Sequence, residues 1–399
     1  MAIINSLLQL DMYKLTMLQV FFHKFSGAYG RYRFKNRNSD IDLLPYKDKI
    51  KAEIHHLCTL KFEADELAYL RSVPFFTDDF VDFLEDFRLK KRYITVDELD
   101  GELDIYVDGP LINGMMFEIY NLSIVHEVYS KVNHTEPDYV EGEKRLLDKI
   151  EKVKGYVADG NVFQFADFGT RRAFSHTYHD NVVKILSENL PSDVFVGTSN
   201  VYLAKKYGIK PIGSVAHEYY QAFQGLGVCQ VKDSQKVALQ TWVDEYRGDL
   251  GACLSDTLGI DMFLKDFDKY FAKLYDSVRH DSGCPYTFTN KMVNHYKSLG
   301  VDPKTKTIIF SDGLDVDLAI ELAEHCKGRI KCSFGIGTNL TNDLGYPALQ
   351  IVIKMVECGI DKNSMTPVAK ISDSKGKEMC EDNGYIKYLK EVIDKKLNS

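Results

Sequence analysis

The sequence predicts an α/β protein: an irregular β/α barrel with an additional α/β domain formed by the N-terminal region and the C-terminal tail. Two observations predict it. Between residues 143 and 359, a short apolar run followed by a polar, usually glycine-containing cluster and then a helical stretch recurs seven times. Consecutive clusters lie roughly 20 to 40 residues apart, the length of a strand, a helix and two loops, as in parallel βαβ units. Residues 1–142 and 360–399 instead carry charge-rich, mixed segments. At about 150 residues per domain, a chain of 399 accommodates two to three domains.

In chain order, Leu10 to Phe25 places Leu15, Leu18 and Phe22 at helical spacing. Arg31-Tyr32-Arg33-Phe34 alternates like a strand, Lys51–Leu70 and Asp78–Phe87 read as helices, and Ile105–Pro110 reads as a strand ending in a turn. Lys144–Asp159 is a helix carrying Leu146, Leu147, Ile150, Val153 and Val157. The seven strand-to-cluster junctions follow. Val162–Ala166 leads to Asp167–Arg172, Val194–Val196 to Gly197–Asn200, and Pro211–Val215 to Ala216-His217-Glu218. Gly251–Leu254 leads to Ser255-Asp256-Thr257, Ser277-Val278 to Arg279–Gly283, Thr307–Phe310 to Ser311–Asp315, and Ile330–Phe334 to Gly335–Asn339. Helices between them are marked by Val237–Tyr246, Phe263–Leu274 and Leu318–Ala323. In a barrel all strand C-termini share one face, so the clusters converge there, where barrel enzymes keep their active sites.

Composition narrows the function. Fifty basic against 58 acidic residues give a net charge of −8, which provides no global attraction to nucleic acid or to an anionic membrane. Anionic ligands therefore need a local site. The eight cysteines form no Cys-x-x-Cys pair and read as reduced, buried thiols. No apolar run approaches the roughly 18 residues of a membrane span, and no basic leader precedes Asp11, so a cytoplasmic protein is expected. P-loop, dinucleotide-binding and α/β-hydrolase motifs are absent.

Chemistry can be assigned to several clusters. Gly335-Ile336-Gly337-Thr338-Asn339, after a late strand, offers backbone N–H groups and two side-chain donors to a phosphate. Asp312 suits sugar hydroxyls or Mg²⁺, while Asp315 suits a helix cap. Arg279 can grip an anion, as can Arg171 or Arg172, and Phe168 can stack on a flat ring. His217, at a strand end, suits a general base or a phosphoryl acceptor. His176 and His179 lack a third ligand and do not read as a zinc site.

At these clusters the chain resembles the nicotinate phosphoribosyltransferases. The resemblance runs through Asp11–Met17, Asp167–Arg172, Gly197–Val201, Gly213–Glu218, His280–Gly283, Ser311–Asp315 and Phe334–Asp343. It implies a type II phosphoribosyltransferase fold and a homodimer with shared active sites. It implies transfer from 5-phosphoribosyl 1-diphosphate to nicotinate, with Mg²⁺, giving nicotinate mononucleotide and pyrophosphate. ATP is implied as co-substrate, hydrolysed through a phosphohistidine at His217. By the same resemblance Phe168 and a partner subunit's Tyr13 sandwich the pyridine ring, and Arg171 and Arg279 hold substrate anions. Asp281 and Asp312 bind ribose hydroxyls or the metal-bound diphosphate, and Gly313, Gly335, Gly337, Thr338 and Asn339 cradle the 5-phosphate. Ser199 stands where nicotinamide enzymes carry an aspartate, so it is expected to donate to the nicotinate carboxylate. No residue is assigned as a certain direct metal ligand. The alternatives are a nicotinamide or quinolinate enzyme of the group, and a non-catalytic sensor of phosphoribosyl compounds.

Overall fold

The computed structural model describes residues 2–374, 378 and 380–398. The strands in chain order are β1 (Tyr29–Asn36), β2 (Ile94–Leu99), β3 (Glu102–Pro110), β4 (Phe165–Asp167), β5 (Phe195–Thr198) and β6 (Arg247–Leu250). They continue with β7 (Ala252–Leu254), β8 (Ser277–His280), β9 (Thr307–Phe310), β10 (Lys331–Ile336), β11 (Ile351–Gly359) and β12 (Thr366–Pro367). Two sheets result: a five-stranded antiparallel one, ordered β12-β11-β1-β3-β2, and a six-stranded parallel one, ordered β5-β4-β10-β9-β8-β7. The parallel strands are three to six residues long and mostly buried, as expected when helices cover them.

Six of the seven expected strands form. The seventh, Pro211–Val215, makes only an isolated bridge from Pro211 to Thr198. Pro211 lacks a ladder N–H, and Gly213 sits at φ 154°, with Tyr13 N 2.9 Å from where a Cβ would stand. The segment still spans the gap between the outer strands of the parallel sheet. Ile212 N donates to Thr198 O (2.8 Å), and Ser214 Oγ donates to Ala252 O (2.9 Å). The barrel is irregular at this seam, beside His217.

Other elements shift in instructive ways. The first helix, Met12–Lys24, buries every residue from Met12 to Phe21 except Tyr13; it is a core helix, not an amphipathic surface one. The expected helix Lys51–Leu70 is two, Lys47–Leu57 and Ala64–Arg71, the second opened by a Glu63/Glu66 capping box. Phe263–Leu274 also splits, because Asp268 accepts from Tyr270 N and Phe271 N and starts a new helix. Strands β2 and β3 meet at Asp100-Gly101, both with positive φ, the twist that a two-residue hairpin needs.

Strand β11 lies inside the range expected for the barrel, yet it pairs with β1 in the antiparallel sheet. The tail, expected to join the N-terminal domain, divides. Strand β12 extends the antiparallel sheet, whereas the helix Asn383–Leu397 buries Leu389 and Ile393 against Leu258 and Met262 of the barrel half. The eight cysteines carry free thiols. No helix of the described residues is long and apolar enough to cross a membrane.

The helix His217–Gly225 packs on β11 and so joins the two halves. A Cβ on Gly225 would lie 2.3 Å from Cys358 O. Gly225→Ala is therefore expected to destabilise the protein by about 1–3 kcal/mol through overpacking, read as a lower urea midpoint at an unchanged slope.

Candidate active site

The parallel strands end in loops that gather the expected residues at one face. The best-connected group surrounds His217, the first residue of its helix. His217 Nε2 lies 2.8 Å from Asp256 Oδ1 and 3.7 Å from Asp281 Oδ2. Burial alone would raise the Asp256 acid, but His217 and Lys370 hold it well below the usual carboxylate range. An ionised carboxylate only accepts, so Nε2 carries the proton and Nδ1 keeps its lone pair. Burial, with Lys370 nearby, pushes the His217 pKa down to about 4, so the ring is neutral near pH 7. Lys370, from the tail, pairs with Asp256 Oδ2 at 2.8 Å.

Strands β8 and β9 supply the next group. Arg279 donates to Asp281 Oδ1 (2.8 Å) and to Ser311 Oγ (2.7 Å), and Ser311 Oγ donates to Asp281 Oδ1 (2.8 Å). Burial opposes ionisation of Asp281, but Arg279 and His217 hold its acid well below the ordinary range. The Arg279 guanidinium also lies 5.8 Å from the Phe168 ring centroid, a cation–π contact. Asp312 is half-buried on the β9 loop, and Gly313 is exposed at φ 61° with open space at its Cβ position.

The glycines of the β10 loop have a packing reason. A Cβ on Gly335 would stand 2.2 Å from the Phe168 ring, and one on Gly337 2.9 Å from Phe168 O. Phe168 N donates to Ile336 O (2.9 Å), so Gly335 leaves room for the Phe168 ring and Gly337 for its backbone against β10. Thr338 begins a short helix, and Asn339 Nδ2 donates to Leu314 O (2.6 Å), tying the β9 and β10 loops together.

At β4 and β5, Asp167 Oδ2 accepts from His179 Nε2 and Thr198 Oγ1, each at 2.6 Å, and its Oδ1 accepts from Gly169 N at 2.8 Å. The side chains of Asp167, His179 and Thr198 are all buried. His179 is therefore a buried support for the Phe168 turn. Ser199 Oγ donates to Asp11 Oδ1 (2.6 Å). The lone hydroxyl proton points at a carboxylate. Tyr13 is half-buried. Burial, with Glu118 and Asp11, raises its hydroxyl pKa well above the ordinary value, while Arg171 of the same chain opposes. Arg171 NH1 lies 3.9 Å from Glu118 Oε1.

Sequence reasoning missed Asp256, Lys370, Asp11, Asp167 and the buried Lys14 with its partners Glu118 and Glu218. Asp256 stood in a recognised polar cluster. Lys370 stood in no motif and reaches the site only through the fold of the tail. Cations crowd the same face. Burial, with Arg171 and Arg37, pushes Arg172 down to about 9, and burial pushes Lys354 down to about 8. Like charges that depress one another form a ready anion site.

The fold and site define a barrel enzyme that handles a flat ring together with phosphorylated, anionic partners. The chain belongs to the nicotinate phosphoribosyltransferase (NAPRTase) family: that family's model matches residues 163–397, and the model of its N-terminal domain matches residues 8–126. A nicotinate phosphoribosyltransferase of Ralstonia pickettii is 50% identical over 394 residues, covering 98% of this chain and 99% of the relative. One of Acinetobacter baylyi is 50% identical over 400 residues, covering 98% and 96%. Crystal structures of nicotinate phosphoribosyltransferases from Porphyromonas gingivalis and Vibrio cholerae superpose with a TM-score of 0.92 each. They are 36% and 38% identical, cover 98% of this chain, and are themselves covered over 100% and 94%.

Gly335→Ala is expected to displace Phe168 and raise the Michaelis constant for the ring substrate at least tenfold while the far-ultraviolet circular dichroism is unchanged. Unaltered ring affinity would show that Phe168 does not depend on this clearance.

Proposed function

We propose that this enzyme joins nicotinate to 5-phosphoribosyl 1-diphosphate, releasing nicotinate mononucleotide and pyrophosphate, and that ATP drives the reaction through phosphorylation of His217. The observation that carries the reading is the neutral, Asp256-bound imidazole beside Asp281, on the same face as Phe168 and the crowded cations.

In the transfer step, the C1–O bond to diphosphate breaks as the pyridine nitrogen approaches C1, and positive charge develops on the ribose. Holding the partners in line and neutralising the leaving diphosphate supply most of the catalysis. Phe168 provides one stacking face for the ring, and Tyr13 the other. Arg171, Arg172, Lys354 and Lys370 supply the charge for the diphosphate and for ATP. Asp281 and Asp312 hold ribose hydroxyls, and Gly313, Thr338 and the N–H groups of the β10 loop receive the 5-phosphate.

His217, Asp256 and Asp281 each bring one ligand atom within 4.8 Å of the others. Both Asp256 oxygens are already engaged by His217 and Lys370, and Asp281 Oδ1 by Arg279 and Ser311. A Mg²⁺ arriving on the diphosphate fits this set: Asp281 would hold it through Oδ2, the oxygen not engaged by Arg279 or Ser311, and the ion would supply charge to neutralise the leaving group.

In the phosphorylation step, His217 Nδ1 attacks the γ-phosphorus of ATP. An N–P bond forms, the P–O bond to ADP breaks, and Asp256 stabilises the imidazolium that develops. Hydrolysis of the phosphohistidine returns the neutral ring and orthophosphate. A homodimer remains part of the reading. In that homodimer the active sites are shared, and the partner subunit's Tyr13 closes the second face of the ring.

His217→Asn is expected to abolish ATP stimulation and the acid-labile phosphoprotein while basal transfer continues slowly. Full ATP coupling in this variant would exclude the phosphohistidine. Because His217 deprotonates at about 4, phosphorylation by ATP is expected to stay flat from pH 8 to pH 6. A decline with a midpoint near the ordinary imidazole value of about 6.5 would show an unshifted histidine.

A further inference from the structure

The Asp11–Ser199 pair presents a contradiction that the proposed function must resolve. The carboxylate of nicotinate is to be received by Ser199, yet the only proton on Ser199 Oγ is given to Asp11 Oδ1 at 2.6 Å. In that arrangement Ser199 shows only lone pairs to the pocket. Lone pairs suit an amide NH₂ and oppose a carboxylate, and the Asp11 charge opposes it further.

Asp11 has little room to move away. It is 4% exposed and forms an antiparallel bridge with Asn200. Met12 N donates to Ser199 O (2.8 Å), and Val201 N donates to Leu10 O (3.0 Å). The start of the first helix is thus fastened to the β5 loop on both sides of the pair. The groups facing Asp11 are the hydroxyls of Ser199 and Thr170, the cation Arg171, the phenol of Tyr13 and the carboxylate of Asp167, itself held by His179 and Thr198. Burial raises the Asp11 acid above the ordinary range; the Ser199 and Thr170 hydroxyls and Arg171 oppose the rise, and Asp167 adds to it.

Protonation reverses the chain of hydrogen bonds. With a proton on Asp11, its O–H donates to Ser199 Oγ, and the Ser199 O–H is released to donate to the substrate carboxylate. Without that proton, Ser199 donates to Asp11 and accepts from an amide. We propose that nicotinate binds with uptake of one proton onto Asp11, so that Asp11 together with Ser199 sets the choice between a carboxylate and an amide at this position. The proton comes from solvent and returns there when the product leaves. The inference rests on the reading that places the pyridine 3-substituent at Ser199.

The consequence has a definite sign. Above the Asp11 titration, affinity for nicotinate falls by about tenfold per pH unit, the limit for one linked proton. Affinity for nicotinamide does not fall over the same range. The ratio therefore shifts toward nicotinate as pH decreases.

The test uses the full chain and the two product nucleotides, nicotinate mononucleotide and nicotinamide mononucleotide, which bind without turnover when pyrophosphate is withheld. Calorimetric titration at pH 8, in buffers of different ionisation enthalpy, counts protons taken up. The 5-phosphate is common to both ligands, so the difference between them reports the 3-substituent. The expected result is about one proton more for the nicotinate form. The isosteric Asp11→Asn, whose amide donates permanently to Ser199, is expected to remove that difference and to flatten the pH dependence of the nicotinate Michaelis constant. Equal uptake for the two nucleotides in the unaltered protein, or an undiminished difference in Asp11→Asn, would overturn the inference. Ser199→Ala separates it from its parent reading. Unchanged discrimination between nicotinate and nicotinamide in that variant would place the 3-substituent elsewhere.

Discussion

A single buried ammonium sets the geometry of the active face. Lys14, with no solvent-exposed side-chain surface, lies between Glu118 of the antiparallel half and Glu218 of the barrel half, 2.7 Å from Glu118 Oε2 and in direct contact with Glu218 Oε1. Burial opposes the charge on Lys14, yet the two carboxylates raise its pKa. Three ionisable groups in one dry place are stable only together. Removing one partner of such a set typically costs about 3–5 kcal/mol, because the others are left buried and uncompensated. The neighbours in sequence are what matter here. Tyr13 precedes Lys14, His217 precedes Glu218, and Glu118 reaches toward Arg171. The ion cluster therefore fixes an aromatic and the histidine whose phosphorylation is proposed through one step of chain each, and an arginine through Glu118.

A second node is Asp256. It receives His217 from one helix, Lys370 from the tail and Ser282 from the β8 loop, where Ser282 Oγ donates to Asp256 Oδ2 at 2.5 Å. The tail continues the contact, with Ile371 N donating to Thr257 O and Asp373 N to Ser282 Oγ. The C-terminal segment is thus part of the active face. Its lysine offsets the carboxylate that orients the imidazole, and the same lysine helps to keep that imidazole neutral.

The sequence revealed much of this at the level of local pattern and little at the level of pairing. Short apolar runs ending in polar clusters identified six parallel strands, because strand period and loop composition are local properties. The seventh failed because Pro211 and Gly213 deny the ladder its donor and its ordinary backbone, although the residues still lie on the barrel seam. The segment of β11 fell inside the range assigned to the barrel without being read as a strand; its antiparallel register with β1 places it in the other sheet, and register is a tertiary fact. The motif residues Phe168, Arg279, Asp281 and His217 were visible as clusters. Lys370 stood in no motif, and Asp11 and Lys14, though within the Asp11–Met17 segment, had no role assigned, because a charged residue gives no sign of what it meets across a gap of tens or hundreds of residues. Gly335 and Gly337 were read as phosphate ligands, and the fold adds the steric reason that Phe168 needs the space.

The electrostatics of this face run against those of the chain as a whole. The protein is net acidic, so distant anions gain nothing from its overall charge. Locally, Arg172 and Lys354 are pushed below their usual values, chiefly by burial and further by Arg171, one of the cations beside them. A site in that condition carries an unfavourable self-energy that an arriving diphosphate relieves, so part of the binding free energy comes from cation–cation repulsion already present in the free protein. The carboxylates Asp256 and Asp281, pulled the other way and fully ionised, keep that repulsion from disrupting the fold. Burial and Lys370 keep the imidazole of His217 neutral against the pull of these two carboxylates, and the neutral ring is the state that attack on a phosphoryl group requires.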